Sequence, residues 1–169
     1  WSGGLVDRYG AKRPLVVGPL IVALGLMIFA IPSVGNNYWT TFFPAVMVLG
    51  LGMAISVAPL TTTVMNSVSE ARAGTASGIN NAVSRLAGVL SIAALGVVML
   101  ATFNHRLSSR LDSIHLEPQI RRSIGSQRAK LAAIELPQSV DTERRDEIKR
   151  SIDDSFVEGF RLVVIIASI

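Results

Sequence analysis

The chain has 169 residues, 50% of them hydrophobic and only 17% charged, with a mean hydropathy of +0.47. Ordinary globular chains carry about 25% charged residues, and here the deficit is gathered into long apolar runs, which excludes a soluble domain of the usual kind. The net charge of +4 does not point to nucleic acid, because the basic residues are not clustered with aromatics, and the lack of cysteine excludes disulfides and thiolate metal sites.

A glycine-punctuated, charged turn comes first: Gly3-Gly4-Leu5-Val6-Asp7-Arg8-Tyr9-Gly10-Ala11-Lys12-Arg13-Pro14. After it, Leu15 to Ser69 run for 55 residues without Asp, Glu, Lys or Arg. A soluble helix must show one face to water, whereas a bilayer makes such an absence necessary. The turn is therefore expected at the membrane surface, its basic residues marking the cytoplasmic side. Gly3 or Gly4 can end a preceding helix, Gly10 suits a positive φ, and Pro14 suits the first turn of the next helix. Asp7 can accept hydrogen bonds at a helix N-terminus, and Arg8 can pair with a carboxylate across a helix interface. Such contacts would latch two helix bundles together on one side; the plainer alternative is a turn with solvated charges.

Residues 14–32 are expected to form the first span. Pro32, Ser33, Gly35, Asn36 and Asn37 make an uncharged turn, with Tyr38 and Trp39 at interfacial depth. A second span is placed at about 39–65, with Gly50 and Gly52 allowing close helix approach and Pro59 bending its far end. Ser67-Val68-Ser69-Glu70 fits the capping box, so a third helix is expected to begin near Ser67 and to span residues 70–103. It carries Gly74-x-x-x-Gly78, a step that permits tight packing in lipid, and then Gly88 and Gly96.

Residues 104–157 differ, with ten Lys or Arg and nine Asp or Glu. They read as a charged, solvated helical loop of two or three amphipathic helices, Asp141 to Asp154 being the clearest. A last span is expected to start within residues 158–169. With the Asp7 loop inside, counting crossings places 104–157 outside the membrane. The fold class is thus all-α, a polytopic transmembrane helix bundle. A chain that opens at Trp1 beside a loop and closes at Ile169 in an apolar run is expected to be a fragment.

The motif Gly3-x-Leu5-x-Asp7-Arg8-x-Gly10-x-Lys12-Arg13 resembles the cytoplasmic loop motif of the major facilitator superfamily, departing from it at Ala11, where the family usually has a basic residue. Two spans follow, then Glu70-Ala71-Arg72-Ala73-Gly74 and Ser77-Gly78-Ile79-Asn80-Asn81, a long outer loop, and Gly159-Phe160-Arg161 at the last span. This order is similar to the C-terminal end of the fourteen-span drug:proton antiporter branch. The resemblance implies a secondary transporter of the plasma (bacterial inner) membrane that exports drugs or other small molecules by alternating access. It implies protons as the coupling partner and a latch made of Gly3, Asp7, Arg8, Gly10, Lys12 and Arg13.

Within the spans, Arg85 is the only ionisable residue between Ala73 and Asn104. A charge at that depth is by default a functional hypothesis. Asn80, Asn81, Ser84 and Arg85 form the candidate intramembrane polar site, with Asn81 and Arg85 on one helical face. The alternative is a structural Arg satisfied by carbonyls or by a carboxylate on another helix. Thr61, Thr62 and Thr63 could line a path, although helical Thr often bonds its own backbone. Met47, Met53 and Met65 suit adaptable apolar binding or simple packing. No Asp, Glu or His is expected within the membrane, Glu70 and Glu158 standing at the span edges, so a proton carrier is expected outside these 169 residues. His105 and His115 lack metal-ligand spacing, and no nucleophile–base or metal constellation is visible. Neither an enzyme nor a cofactor is expected. The competing class is a membrane receptor or scaffold whose 104–157 segment binds a partner.

Overall fold

The computed structural model describes residues 10–31, 37–114, 116–138 and 140–169. Gly3, Asp7 and Arg8, the turn at 32–36, and His115 lie outside the described residues. The described residues form α1 (Lys12–Phe29), α2 (Phe43–Asn66), α3 (Ala73–Ser113), α4 (Pro118–Ser126) and α5 (Thr142–Ala167). No strand occurs among them. Three helices are long and apolar enough to cross a membrane: α1, α2 with the π-helical turn Tyr38–Phe42 that leads into it, and α3 with its preceding 3-10 turn Glu70–Arg72. The chain divides into two compact units, which are described separately.

The first unit takes in α1, α2, residues 73–93 of α3 and the last six residues. What α1 and α2 bury is small: Pro14, Gly18 and Gly25 on one side, Ala45, Gly52 and Pro59 on the other. Gly18 and Gly25, like Ala45, Gly52 and Pro59, recur every seven residues, so each set stays on one face of its helix. A Cβ on Gly52 would lie 2.6 Å from the Val22 backbone nitrogen and 2.9 Å from the Gly18 oxygen; one on Gly25 would lie 2.9 Å from the Cα of Leu49. Glycine is what lets these backbones approach so closely. A Cβ on Gly50 would meet nothing within 4 Å, so of the two glycines expected to permit close approach only Gly52 does so here.

The large side chains of this unit point away from the seam: Leu20 is 64% exposed and Leu51 55%. Such continuous apolar surface is rare on a soluble monomer and ordinary for helices bathed in lipid. At one end Tyr38, Trp39, Phe42 and Phe43 stack or meet edge-on, with centroids 5.4–6.3 Å apart. Asn37 caps the turn, its Oδ1 accepting the Trp39 N–H at 3.1 Å. Both Pro19 and Pro59 are accommodated inside continuous helices.

The capping box read at Ser67 does not form. Ser67 ends α2, its hydroxyl donating to the Val64 carbonyl at 2.7 Å, and α3 begins only at Ala73 after the 3-10 turn. The same hydroxyl that could cap a following helix is closer to the unsatisfied carbonyls of the preceding one, and it bonds there.

The second unit comprises 94–163 among the described residues. The helix runs on past Phe103, where the third span was expected to end, to Ser113, because backbone hydrogen bonding does not require an apolar sequence. Phe103, Leu107 and Leu111, four residues apart, join Ile120 and Ile124 of α4, Ile134 and Val140 of the following segment, and Ile148 and Ile152 of α5 in one buried cluster. Phe103, Leu107, Ile124 and Ile148 are wholly inaccessible. Residues expected to form a solvated loop thus share a core. Two acids and two bases bridge α3 and α5: Arg106 Nε lies 3.0 Å from Glu158 Oε2, Arg110 Nη2 2.7 Å from Glu158 Oε1, and Arg110 Nη1 3.3 Å from Asp154 Oδ2. Arg121 of α4 pairs with Asp112. α5 runs unbroken from the charged stretch through Gly159 into the apolar end, with no interruption between the helix expected at Asp141–Asp154 and the span expected at 158–169. A Cβ at Gly159 would fall 2.9 Å from the Met99 sulfur.

Candidate functional site

Two groups of residues carry the functional expectation, and both lie on the first unit. In the surface turn, Gly10 adopts φ 73°, a left-handed conformation in which only glycine is at ease. Lys12 and Arg13 are exposed in the first turn of α1, which contains no acid. Bases at a helix N-terminus oppose the helix dipole, at about 0.3–1 kcal/mol each. Local helix stability therefore does not account for them, whereas the charge asymmetry of a membrane loop does.

In α3, Arg85 lies about 18 Å beyond Ala73 along the helix at 1.5 Å per residue. Asn81, Ser84 and Arg85 are exposed and Asn80 is half-buried. None of the four side chains has a hydrogen-bond or ion-pair partner among the described residues. Gly74, Gly78, Asn81, Arg85 and Gly88 follow one another at steps of four, three, four and three, and Gly96 eight later. These steps keep them on one stripe of the helix. A Cβ added to any of the four glycines would meet nothing within 4 Å. The stripe therefore unites two features that the sequence reading treated apart, the glycine step and the polar site; the spacing that joins them was already present in the sequence.

The threonines of α2 are accounted for locally. Thr61, Thr62 and Thr63 donate to the carbonyls of Val57, Ala58 and Pro59 at 3.1, 2.9 and 2.7 Å, which removes their donors from any path. Met47 and Met53 are exposed and Met65 half-buried. His105 is exposed, and the described residues hold no group of three or more His, Asp or Glu arranged to bind a metal.

Apolar helices stripped of charge, packed through glycine and faced with large aliphatic side chains define an α-helical integral membrane protein. A family model of the Major Facilitator Superfamily matches residues 1–112, and the chain belongs to that family. It is 28% identical over 178 aligned residues to the multidrug resistance protein Stp of Mycobacterium tuberculosis, covering 98% of this chain and 31% of that protein. It is 25% identical over 170 residues to the drug efflux pump JefA of the same organism, covering 96% of this chain and 33% of that protein. Over 98 residues it is 32% identical to the tetracenomycin C resistance and export protein of Streptomyces glaucescens, covering 58% of this chain and 18% of that protein. The chain thus spans about a third of the length of the first two relatives. No solved structure matches it.

Proposed function

We propose that the polypeptide this chain represents exports drugs or other small molecules across the plasma membrane, exchanging them for protons by alternating access. The observation that carries this reading is the family match over residues 1–112 together with relatives named for drug efflux and resistance. In this reading residues 1–13 form the cytoplasmic loop, residues 104–157 lie outside, and Gly3, Asp7, Arg8, Gly10, Lys12 and Arg13 act as the latch.

Arg85, with Asn80, Asn81 and Ser84, is the polar site within the bilayer. Its guanidinium stays charged at physiological pH, so it is not the proton carrier. Its use is to hold a carboxylate ionised until a proton arrives. The sequence contains no Asp or Glu from Leu15 to Ser69 or from Ala71 to Asn104. The acid facing Arg85 in the membrane must then come from the remainder of the polypeptide or from the substrate. The glycines on the same stripe would let a neighbouring helix carrying that acid approach closely.

The test uses the complete polypeptide in proteoliposomes with an imposed proton gradient. Gradient-dependent accumulation of a drug is expected, and no uptake across a panel of drugs, with the protein folded, refutes the reading. An opposite charge within about 4–6 Å lowers an acid's pKa by roughly 1–3 units. Arg85→Gln should therefore move the pH profile of transport upward, since the acid would keep its proton to higher pH, and Arg85→Lys should move it less. An unmoved profile with reduced folded protein would make Arg85 structural.

A further inference from the structure

The second unit contains a groove at the edge of its core that the transport reading does not use. Its volume is about 430 Å³, and it lies between the irregular segment 131–138 and one face of α5. Ligand pockets of drug-sized molecules typically run from about 300 to 1,000 Å³, so the space is adequate for a small organic molecule. Ile134 and Ile152, 8% and 2% exposed, form an apolar base, and Ala132 and Leu136 add to it. Arg145 and Lys149, four residues apart on α5, stand along one side, and Glu135 is the single acid of the lining. The cations outnumber the acid by two to one.

The wall opposite α5 is irregular but firmly fixed. Gln127, after the end of α4, holds Glu135 from both sides: its Nε2 donates to the Glu135 carbonyl at 3.0 Å, and its Oε1 accepts the Glu135 N–H at 3.2 Å. Arg145 Nη2 donates to the Pro137 carbonyl at 2.7 Å. Leu131 turns the chain into this wall with φ 55° and ψ −124°, a corner that tight turns reserve for glycine. Leucine there is strained, and such strain persists only where the surroundings over-determine it; the Leu131 side chain is packed against the core. The two Gln127 bonds and the Leu131 corner thus fix the shape of this segment, and the Arg145 bond ties it to α5 at one end of the groove. Lys149 has no hydrogen-bond or ion-pair partner among the described residues, and one edge of the Arg145 guanidinium is not engaged by Pro137.

We propose that this groove binds an anionic amphiphile, its acid group held by Lys149 and the free edge of Arg145 and its aliphatic or ring body laid on Ile134, Leu136 and Ile152. Charge complementarity selects the anion: a cationic amphiphile would meet two like charges, and a neutral one would gain nothing from Arg145 and Lys149. The site does not depend on what the spans transport.

The test measures hydrogen exchange on the full chain in phosphatidylcholine nanodiscs, titrated with octanoate, octyltrimethylammonium or octanol. Octanoate is expected to slow exchange in 131–138 and 145–152, and the other two to do so far less. Lys149 is exposed, and an exposed ion pair contributes at most about 1 kcal/mol, so Lys149→Gln should weaken octanoate binding by up to about fivefold. Gln138→Trp, which fills the groove and leaves both cations, should abolish it while exchange around Leu107 and Leu111 stays unchanged. Equal protection by all three probes, protection confined to the membrane spans, an affinity unchanged by Lys149→Gln, or binding that survives Gln138→Trp would overturn the proposal.

Discussion

The two units of this chain are held together in opposite ways. Between α1 and α2 the buried residues are glycines, an alanine and two prolines, Gly18, Gly25, Gly52, Ala45, Pro14 and Pro59, and the large aliphatic side chains face outward. In 94–163 the buried residues are Phe103, Leu107, Leu111, Ile124, Ile148 and Ile152, and the charges face outward or bridge helices. The solvent explains the inversion. In water, moving aliphatic surface inside is favourable by about 25 cal/mol per Å². In lipid that term vanishes, and what remains is close backbone contact, which only glycine and alanine allow. One chain therefore obeys two packing rules, and the rule changes partway along α3, which continues through both units as a single helix of 41 residues.

The strongest way to break this comparison is to cut the aqueous core. Leu107→Ala removes a wholly buried side chain where α3, α4 and α5 meet. A cost of about 2–5 kcal/mol is expected, seen by hydrogen exchange as lost protection in 94–163 and unchanged protection in α1 and α2. Loss of protection in both units together would mean that they do not fold by separate rules.

The next test inverts the logic in lipid, where adding a methyl group should hurt. Gly52→Ala places its Cβ against the backbone of α1, and overpacking of this kind costs about 1–3 kcal/mol. Gly50→Ala, two residues away with nothing within 4 Å, should cost nothing. Gly18→Ala should fall between them, because its nearest neighbour is the end of the Ser56 side chain, which can rotate. Proximity of α1 and α2, read by spin labels at Leu20 and Leu51, would rank the three. If Gly50→Ala and Gly52→Ala separate the helices equally, the glycine seam is not what joins them.

A smaller effect is expected from the charges joining α3 and α5. Arg110 and Glu158 are 37% and 31% exposed, so water screens much of their attraction. Glu158→Gln loses contacts to both Arg106 and Arg110, and about 1 kcal/mol is expected from a partly exposed network. Chemical denaturation of the second unit in low and high salt should show the loss shrinking as salt rises. A loss that is independent of salt would place the contribution in packing instead.

Why the two units differ in legibility follows from the same contrast. The helices of the first unit are written plainly, since a bilayer forbids charge and 55 successive residues obey. Gly10 was legible too, as a glycine that takes a positive φ. The core of the second unit was not, because its apolar residues are few and widely separated: Phe103 closes the expected span, Leu107 and Leu111 lie past it, and Ile120, Ile134 and Ile148 stand amid charges. Only their convergence in space makes a core. Ser67 shows a local version of this, a hydroxyl with two possible uses whose choice depends on which helix end is nearer. The stripe of α3 was readable from spacing alone.

That stripe supplies the last and smallest effect, in which the sign carries the information. A Cβ on Gly78 would meet nothing within 4 Å in this chain. Glycine inside a helix is less favourable than alanine by about 0.5–1 kcal/mol, so Gly78→Ala should slightly stabilise α3 when these 169 residues are studied alone. In the complete polypeptide, a helix docked on the stripe would meet the added methyl, and the same substitution should then destabilise, as Gly52→Ala does between α1 and α2. Thermal stability of both forms in the same detergent would read this difference. Stabilisation in both would mean that the face carrying Gly78 and Arg85 looks into lipid or water, and the idea of a neighbouring acidic helix at Arg85 would fall with it.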